Sequence, residues 1–269
     1  MSWGFDEQAV SVTGLHGQVI GVFRPSPIPT GPIALIVAGR PYTRYGPHRM
    51  FHQLARWLAD RGISSLRIDC GGWGDSSGQG DNLEDSVDDI VAALHYLGRE
   101  HPDRPLALVG LSEGASAAVL AAASTELRLG ADRIVGIALI NPWVRSERII
   151  SPPALRSERK PGFFSREFWA RLFRRKPEPV AEQSHAQTLS DALLAALQVY
   201  EQRVLTVLAG DDPTADDTED LIGSDPRWRS RLGNSRNLLR VPGADHTFSY
   251  PDHWRHVCDW LSSELSEQS

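Results

Sequence analysis

The stretch Leu106-Ala-Leu-Val-Gly-Leu-Ser112-Glu-Gly114-Ala-Ser-Ala-Ala-Val-Leu120 decides the fold. An apolar run of strand length leads into Gly110-Leu-Ser112-Glu-Gly114, and a small-residue segment of helical character follows. A Gly-x-Ser-x-Gly turn between strand and helix lifts the serine hydroxyl above the edge of a sheet. Bulkier residues at the two glycines would collide with neighbouring backbone. The helix start also directs free N–H groups to where an oxyanion would form. Ser112 is therefore the candidate nucleophile. The bland alternative is a Gly/Ser turn without chemistry, and the strand–helix context argues against it.

Outward from this turn the chain alternates between two periods. Residues 33–38 (Ile-Ala-Leu-Ile-Val-Ala) are continuously apolar, as in a strand covered on both faces. Phe51, Leu54, Ala55 and Leu58 share one helical face that ends before Gly62. Residues 65–69 read as the next strand, and Leu83, Val87, Ile90, Val91 and Leu94 as an amphipathic helix. Further strands are expected at 105–109, 134–140, 204–209 and 238–241. A last helix carries Trp254, Val257, Cys258, Leu261 and Leu265. Residues 1–31 suggest a short hairpin at an antiparallel edge, closed off by the Pro-rich 25–32. The fold class is α/β, with a mostly parallel central sheet and helices on both faces. Residues 141–200 interrupt the rhythm with Ser151-Pro-Pro, Lys160-Pro-Gly, Lys176-Pro-Glu-Pro and an aromatic helix candidate at 164–173. They are expected to form an inserted cap, leaving 1–140 and 201–269 as the core.

In 269 residues the formal charge is −6, which gives no electrostatic drive toward nucleic acid. Cys70 and Cys258 provide neither a disulfide framework nor metal spacing. No basic, apolar leader opens the chain, and no apolar run reaches the ~20 residues of a membrane span. A cytoplasmic protein is expected.

A serine hydroxyl needs a base, and the base needs an orienting acid. His246 follows the last strand, at the same sheet end as Ser112, and is the expected base. The loop Gly210-Asp211-Asp212-Pro-Thr-Ala-Asp216 offers several acids. Asp212 is favoured because the following proline keeps it extended, with Asp211 next and Asp216 in the first turn of the next helix. The order Ser112, Asp212, His246 differs from that of chymotrypsin and of subtilisin. Backbone N–H groups of Glu113 and Arg40 are the expected oxyanion donors, since Pro41 has none. The Arg40 side chain is in addition a candidate to meet a substrate carboxylate or phosphate.

Over nearly its full length the chain resembles the α/β-hydrolases of the serine aminopeptidase/lysophospholipase-like group. Arg67-Ile-Asp69-Cys-Gly-Gly-Trp-Gly74-Asp-Ser-Ser-Gly78 is similar to that fold's Asp-x-Arg-Gly-x-Gly-x-Ser-x-Gly loop. Asn141-Pro-Trp-Val-Arg145, Gly210-Asp-Asp212-Pro-Thr-Ala215 and Asp245-His246-Thr-Phe-Ser249 resemble the hydrolases that accompany bacterial exosortase systems. Two departures concern the substrate pocket: Gly71 stands where the family usually has Arg, and Arg40-Pro41 where a small residue is common. The resemblance implies an α/β-hydrolase fold. It further implies cleavage of an ester, thioester or amide through an acyl-enzyme, without a cofactor. An acyltransferase with a non-water acceptor uses the same residues, and a non-catalytic binding module on the scaffold would be expected to lack one of them.

His48 and His52 have metal-ligand spacing, but the Glu of H-E-x-x-H and a third ligand are missing. Gly72-Trp-Gly74 lacks the third glycine of a dinucleotide fingerprint. Residues 141–180 hold ten Lys or Arg against four Glu. They form either a solvated face or a receiver for an anionic acyl carrier such as coenzyme A, an acyl-carrier protein or a phospholipid head group. The expected partner is thus a small-molecule acyl substrate, and a homodimer is compatible with the sequence.

Overall fold

The computed structural model describes residues 7–78, 80, 82–129, 133–145 and 188–267. Among them eight strands form one sheet: β1 (Gln8–Thr13), β2 (Gln18–Arg24), β3 (Ile33–Val37), β4 (Ser64–Ile68), β5 (Leu106–Leu111), β6 (Ile134–Ile140), β7 (Arg203–Ala209) and β8 (Leu238–Val241). Their spatial order is β1-β2-β4-β3-β5-β6-β7-β8. The β1–β2 hairpin joins β4 antiparallel, and every neighbouring pair from β4 to β8 is parallel. The helices are α1 (Met50–Ala59), α2 (Leu83–Glu100), α3 (Glu113–Leu129), α4 (Leu189–Val199), α5 (Pro213–Ser224), α6 (Pro226–Leu232) and α7 (Pro251–Ser266).

The continuous apolar runs are central strands because both faces are covered. Ile33, Leu35 and Val37 of β3 pack with Val87, Leu94, Ala118 and Leu193 of α2, α3 and α4. Ala34 and Ile36 face the other way, toward Phe51 and Leu58 of α1 and Leu261 of α7. Parallel strands in one register put their carboxyl ends on one edge, with Val37 opposite Gly110 and Leu111 opposite Ile140. Ligands of such sheets bind along that edge.

Residues 189–199 were expected in a cap, but α4 is the crossover helix between β6 and β7. Leu189, Leu193, Leu194, Ala196 and Leu197 are buried in the same cluster as α2 and α3. Thr188 caps the helix, its Oγ1 accepting from Asp191 N at 3.1 Å, worth about 1 kcal/mol. At the other boundary, Asn141, Pro142 and Trp143 hydrogen-bond to β7, to α5, and to Ser112 and α3. Residues 146–187, with the aromatic helix candidate and all of the basic stretch but Arg145, lie outside the described residues. Arg145 pairs with Asp217 at 2.7 Å and Asp220 at 3.4 Å on α5.

Candidate active site

Ser112 follows β5 with a φ of +54°, in the left-handed region that a non-glycine residue occupies only at a cost of about 1–2 kcal/mol. Neighbouring backbone holds it there. Ser112 N donates to Ile140 O at 2.9 Å, and Ser112 O accepts from Ala115 N at 3.1 Å and Trp143 N at 3.2 Å. The glycines permit a close approach of β3's end. A Cβ on Gly114 would lie 2.7 Å from Gly39 N, and one on Gly39 would lie 2.9 Å from both Glu113 N and Gly114 N. The loop after β3 thus rests directly on the first amides of α3.

His246 Nδ1 and Asp212 Oδ2 are 2.8 Å apart. Asp212 has only 3% of its side chain exposed, against 29% for His246. With Asp212 ionised, Nδ1 carries the proton and donates, so Nε2 is left as the acceptor. Asp212 Oδ1 accepts from Thr214 N at 3.1 Å and caps α5, so the helix start fixes the carboxylate that orients the imidazole. Asp211, the other candidate, is exposed and uses its N–H on Ala244 O at 2.8 Å. Asp216 lies in the first turn of α5, as anticipated.

The His246 loop is tied at both ends. Asp245 accepts from Thr247 N at 2.9 Å, Ser249 N at 3.2 Å and the hydroxyls of both residues. Burial raises its pKa, but the Ser249 and Thr247 donors outweigh this and hold the carboxyl down at about 2. Phe248, at φ +52°, turns its ring into the core beside Trp254.

Sequence reasoning missed the role of Asn141. It is fully buried at the end of β6 with a φ of +43°. Its Nδ2 donates to His246 O at 2.8 Å and its Oδ1 accepts from Ala209 N at 2.8 Å. The last residue of β6 and the one after it therefore moor the candidate nucleophile, through Ile140 O, and the candidate base, through Asn141. The signal was an Asn-Pro directly after a buried strand, since Asn tolerates the left-handed region and offers both a donor and an acceptor. Among the described residues no hydrogen bond joins Ser112 to His246 directly, as is common before substrate tightens such sites.

Of the expected oxyanion donors, Glu113 opens α3 and Arg40 lies in the loop after β3. The Arg40 side chain is not free for a substrate anion. Its Nε and Nη2 lie 2.8 and 2.7 Å from Glu113 Oε1, and its Nη1 donates to Gly80 O at 3.0 Å. The glycine-rich loop after β4 folds over buried Asp69. That carboxylate accepts from Arg44 N at 2.6 Å, Asp75 N at 3.0 Å and the Arg44 guanidinium. Gly71 N donates to Asp89 Oδ2 at 2.7 Å, and burial raises the Asp89 carboxyl to about 6. Cys70 and Cys258 are buried free thiols, and burial pushes Cys70 up to about 12. His48 stands before α1 with a φ of +52° while His52 faces Glu7 at 3.6 Å. No group of three His, Cys, Asp or Glu is placed to hold a metal ion among the described residues. Nor does any helix there have the length and apolarity to cross a membrane.

Residues 45–202 match the model of the family described as serine aminopeptidase, S33. The chain belongs to that family. The matched span of this S33-family chain includes Ser112 and Asn141 and ends before Asp212. A curated relative, an uncharacterised protein of Rickettsia prowazekii (strain Madrid E), is 33% identical over 104 residues, covering 38% of this chain and 44% of that protein. The chain thus matches less than half the length of that relative. Among solved structures, Est1E from Butyrivibrio proteoclasticus superposes with a TM-score of 0.66 at 16% identity, covering 97% of this chain and 98% of that one. A Pyrococcus furiosus esterase gives 0.66 at 13% identity over 99% and 94%. An α/β serine hydrolase homologue from Coxiella burnetii gives 0.64 at 15% identity over 98% and 100%. The fold is that of the α/β-hydrolases.

Proposed function

We propose that this protein hydrolyses an ester or thioester through an acyl-enzyme on Ser112, with His246 as general base and Asp212 as the acid that orients it. The observation that carries the proposal is the buried Asp212 carboxylate 2.8 Å from His246 Nδ1, on the loops after β7 and β8 at the edge where Ser112 is held in a left-handed turn. His246 Nε2 takes the Ser112 proton as Oγ attacks the acyl carbonyl. Backbone N–H groups of Glu113 and Arg40 receive the oxyanion. His246 then returns the proton to the leaving alkoxide or thiolate. A water that it deprotonates releases the acid and restores Ser112. The Pyrococcus furiosus neighbour is an esterase by title, and Est1E has been solved with ferulic acid bound. These support an ester substrate, and the reaction itself needs no cofactor.

Labelling with a fluorophosphonate followed by peptide mapping tests this. The adduct is expected on Ser112 and absent in Ser112→Ala. His246→Ala and Asp212→Asn should slow labelling by about 10³-fold or more, and Asp211→Asn should label like the wild type. An adduct elsewhere, or Asp212→Asn labelling at the wild-type rate, would overturn the assignment. An acyl group carried on coenzyme A or an acyl-carrier protein fits the basic residues of 141–180. Turnover of such thioesters should then fall with salt far more steeply than turnover of small neutral esters.

A further inference from the structure

We infer that Arg40 is a positioning residue for the Ser112 reaction, acting by neutralising the Glu113 carboxylate beside the place where the oxyanion forms. The inference rests on Ser112 being the nucleophile. Glu113 directly follows Ser112, and its own N–H belongs to the helix start that faces the reacting oxygen. A carboxylate at this position has the same sign as the charge that develops there. Partly shielded charges interact more strongly than in bulk water, so an unpaired carboxylate would raise the barrier.

The structure answers this with one guanidinium. Two nitrogens of Arg40 converge on Glu113 Oε1 at 2.7 and 2.8 Å, and both side chains are largely buried, 18% and 14% exposed. The third Arg40 nitrogen is engaged by Gly80 O at 3.0 Å, which fixes the guanidinium from the far side. The pair also bridges the two segments whose backbones are expected to donate to the oxyanion. The loop after β3 and the start of α3 contribute one each, brought together by the mutual approach of Gly39 and Gly114.

A simple tie and a charge compensator give different mutational signatures. Either substitution breaks a tie equally. Removing Arg40 alone leaves a naked carboxylate by the oxyanion, whereas removing the Glu113 charge leaves a guanidinium that favours it. The test reads the second-order rate of phosphonylation of the full chain by a fluorophosphonate. In that step the Ser112 Oγ–P bond forms, P–F breaks, fluoride leaves and the serine proton passes to His246. It also reads kcat and KM on a p-nitrophenyl ester. Arg40→Met is expected to lower both the phosphonylation rate and kcat by about 30-fold, with KM changed less than about threefold. Glu113→Gln should lose about threefold or less, and the double variant should regain about tenfold over Arg40→Met. Thermal melts establish that each variant is folded, and Arg40→Gln gives the same contrast should Arg40→Met not fold. Equal losses in both single variants, or no regain in the double, would overturn the compensating role while Ser112 still labels in the wild type. A wild type without an adduct on Ser112 would overturn the nucleophile, and the role of Arg40 with it.

Discussion

Replacing Asn141 by alanine isolates the mooring just beyond the end of β6. The substitution leaves His246 O and Ala209 N without their 2.8 Å partners in a fully buried position. Each unpaired group costs about 1–3 kcal/mol. Alanine at φ +43° adds about 1 kcal/mol, because asparagine tolerates the left-handed region better. The sum is about 4 kcal/mol, which for a chain of this size is a fall of about 10 °C in Tm. Asn141→Gly relieves the backbone part and should recover about 1 kcal/mol of it. Asn141→Asp keeps an acceptor for Ala209 N but turns an oxygen toward His246 O, so it should be no better than alanine. The His246 loop should drift as well, and a displacement of about 1 Å should slow Ser112 phosphonylation by about 10²-fold. Urea unfolding and labelling rates measure the two effects separately. A melt within 2 °C of the wild type (about 1 kcal/mol) would refute the energetic reasoning. An unchanged labelling rate in a destabilised variant would refute the coupling to His246.

Two further outcomes follow from the buried contacts. Asp89 has its folded pKa raised to about 6, above its unfolded value, so the folded state holds the proton more tightly. Its penalty is therefore present above pH 6 and is relieved as pH falls through 6 toward 4, a span of about 2–3 kcal/mol. Asp89→Asn, which retains an acceptor for Gly71 N, should raise the urea midpoint at pH 8 and lose that advantage at pH 4.5. An advantage that does not shrink on acidification counts against the raised carboxyl. Gly114→Ala places a Cβ 2.7 Å from both Gly39 N and Val37 O, backbone atoms that cannot rotate away. Labelling of Ser112 should drop by about 10²-fold or more as the turn shifts, and wild-type labelling would show that the β3 loop yields instead.

The layered core was legible because its signals are local. Residues 33–37, 106–111 and 134–140 are apolar without interruption, and a strand buried on both faces imposes that pattern by itself. The turn at Ser112 carried its geometry in two glycines. The candidate acid did not, since Asp211 and Asp212 are adjacent and it is the turn after β7 that leaves Asp211 exposed and buries Asp212. Asp212 also caps α5, its Oδ1 accepting from Thr214 N while its Oδ2 meets His246 Nδ1. The crossover helix α4 was hidden by the proline-rich run before it, although Thr188 and the apolar spacing of Leu189, Ala192, Leu193 and Ala196 announce it. The engagement of Arg40 by Glu113 spans 73 positions and has no local trace.

The anchoring of residues 141–145 and of Thr188 has a consequence for how such a chain can diversify. Trp143 is held by Ser112 O through its N–H and by Ser116 Oγ, which donates to its carbonyl at 2.5 Å. Pro142 O accepts from Thr218 Oγ1 at 3.2 Å, and α4 begins on a cap of its own making. Both stumps are thus tied to the core through the described residues. Natural variation or deliberate grafting between Arg145 and Thr188 therefore starts and ends on fixed points of the core.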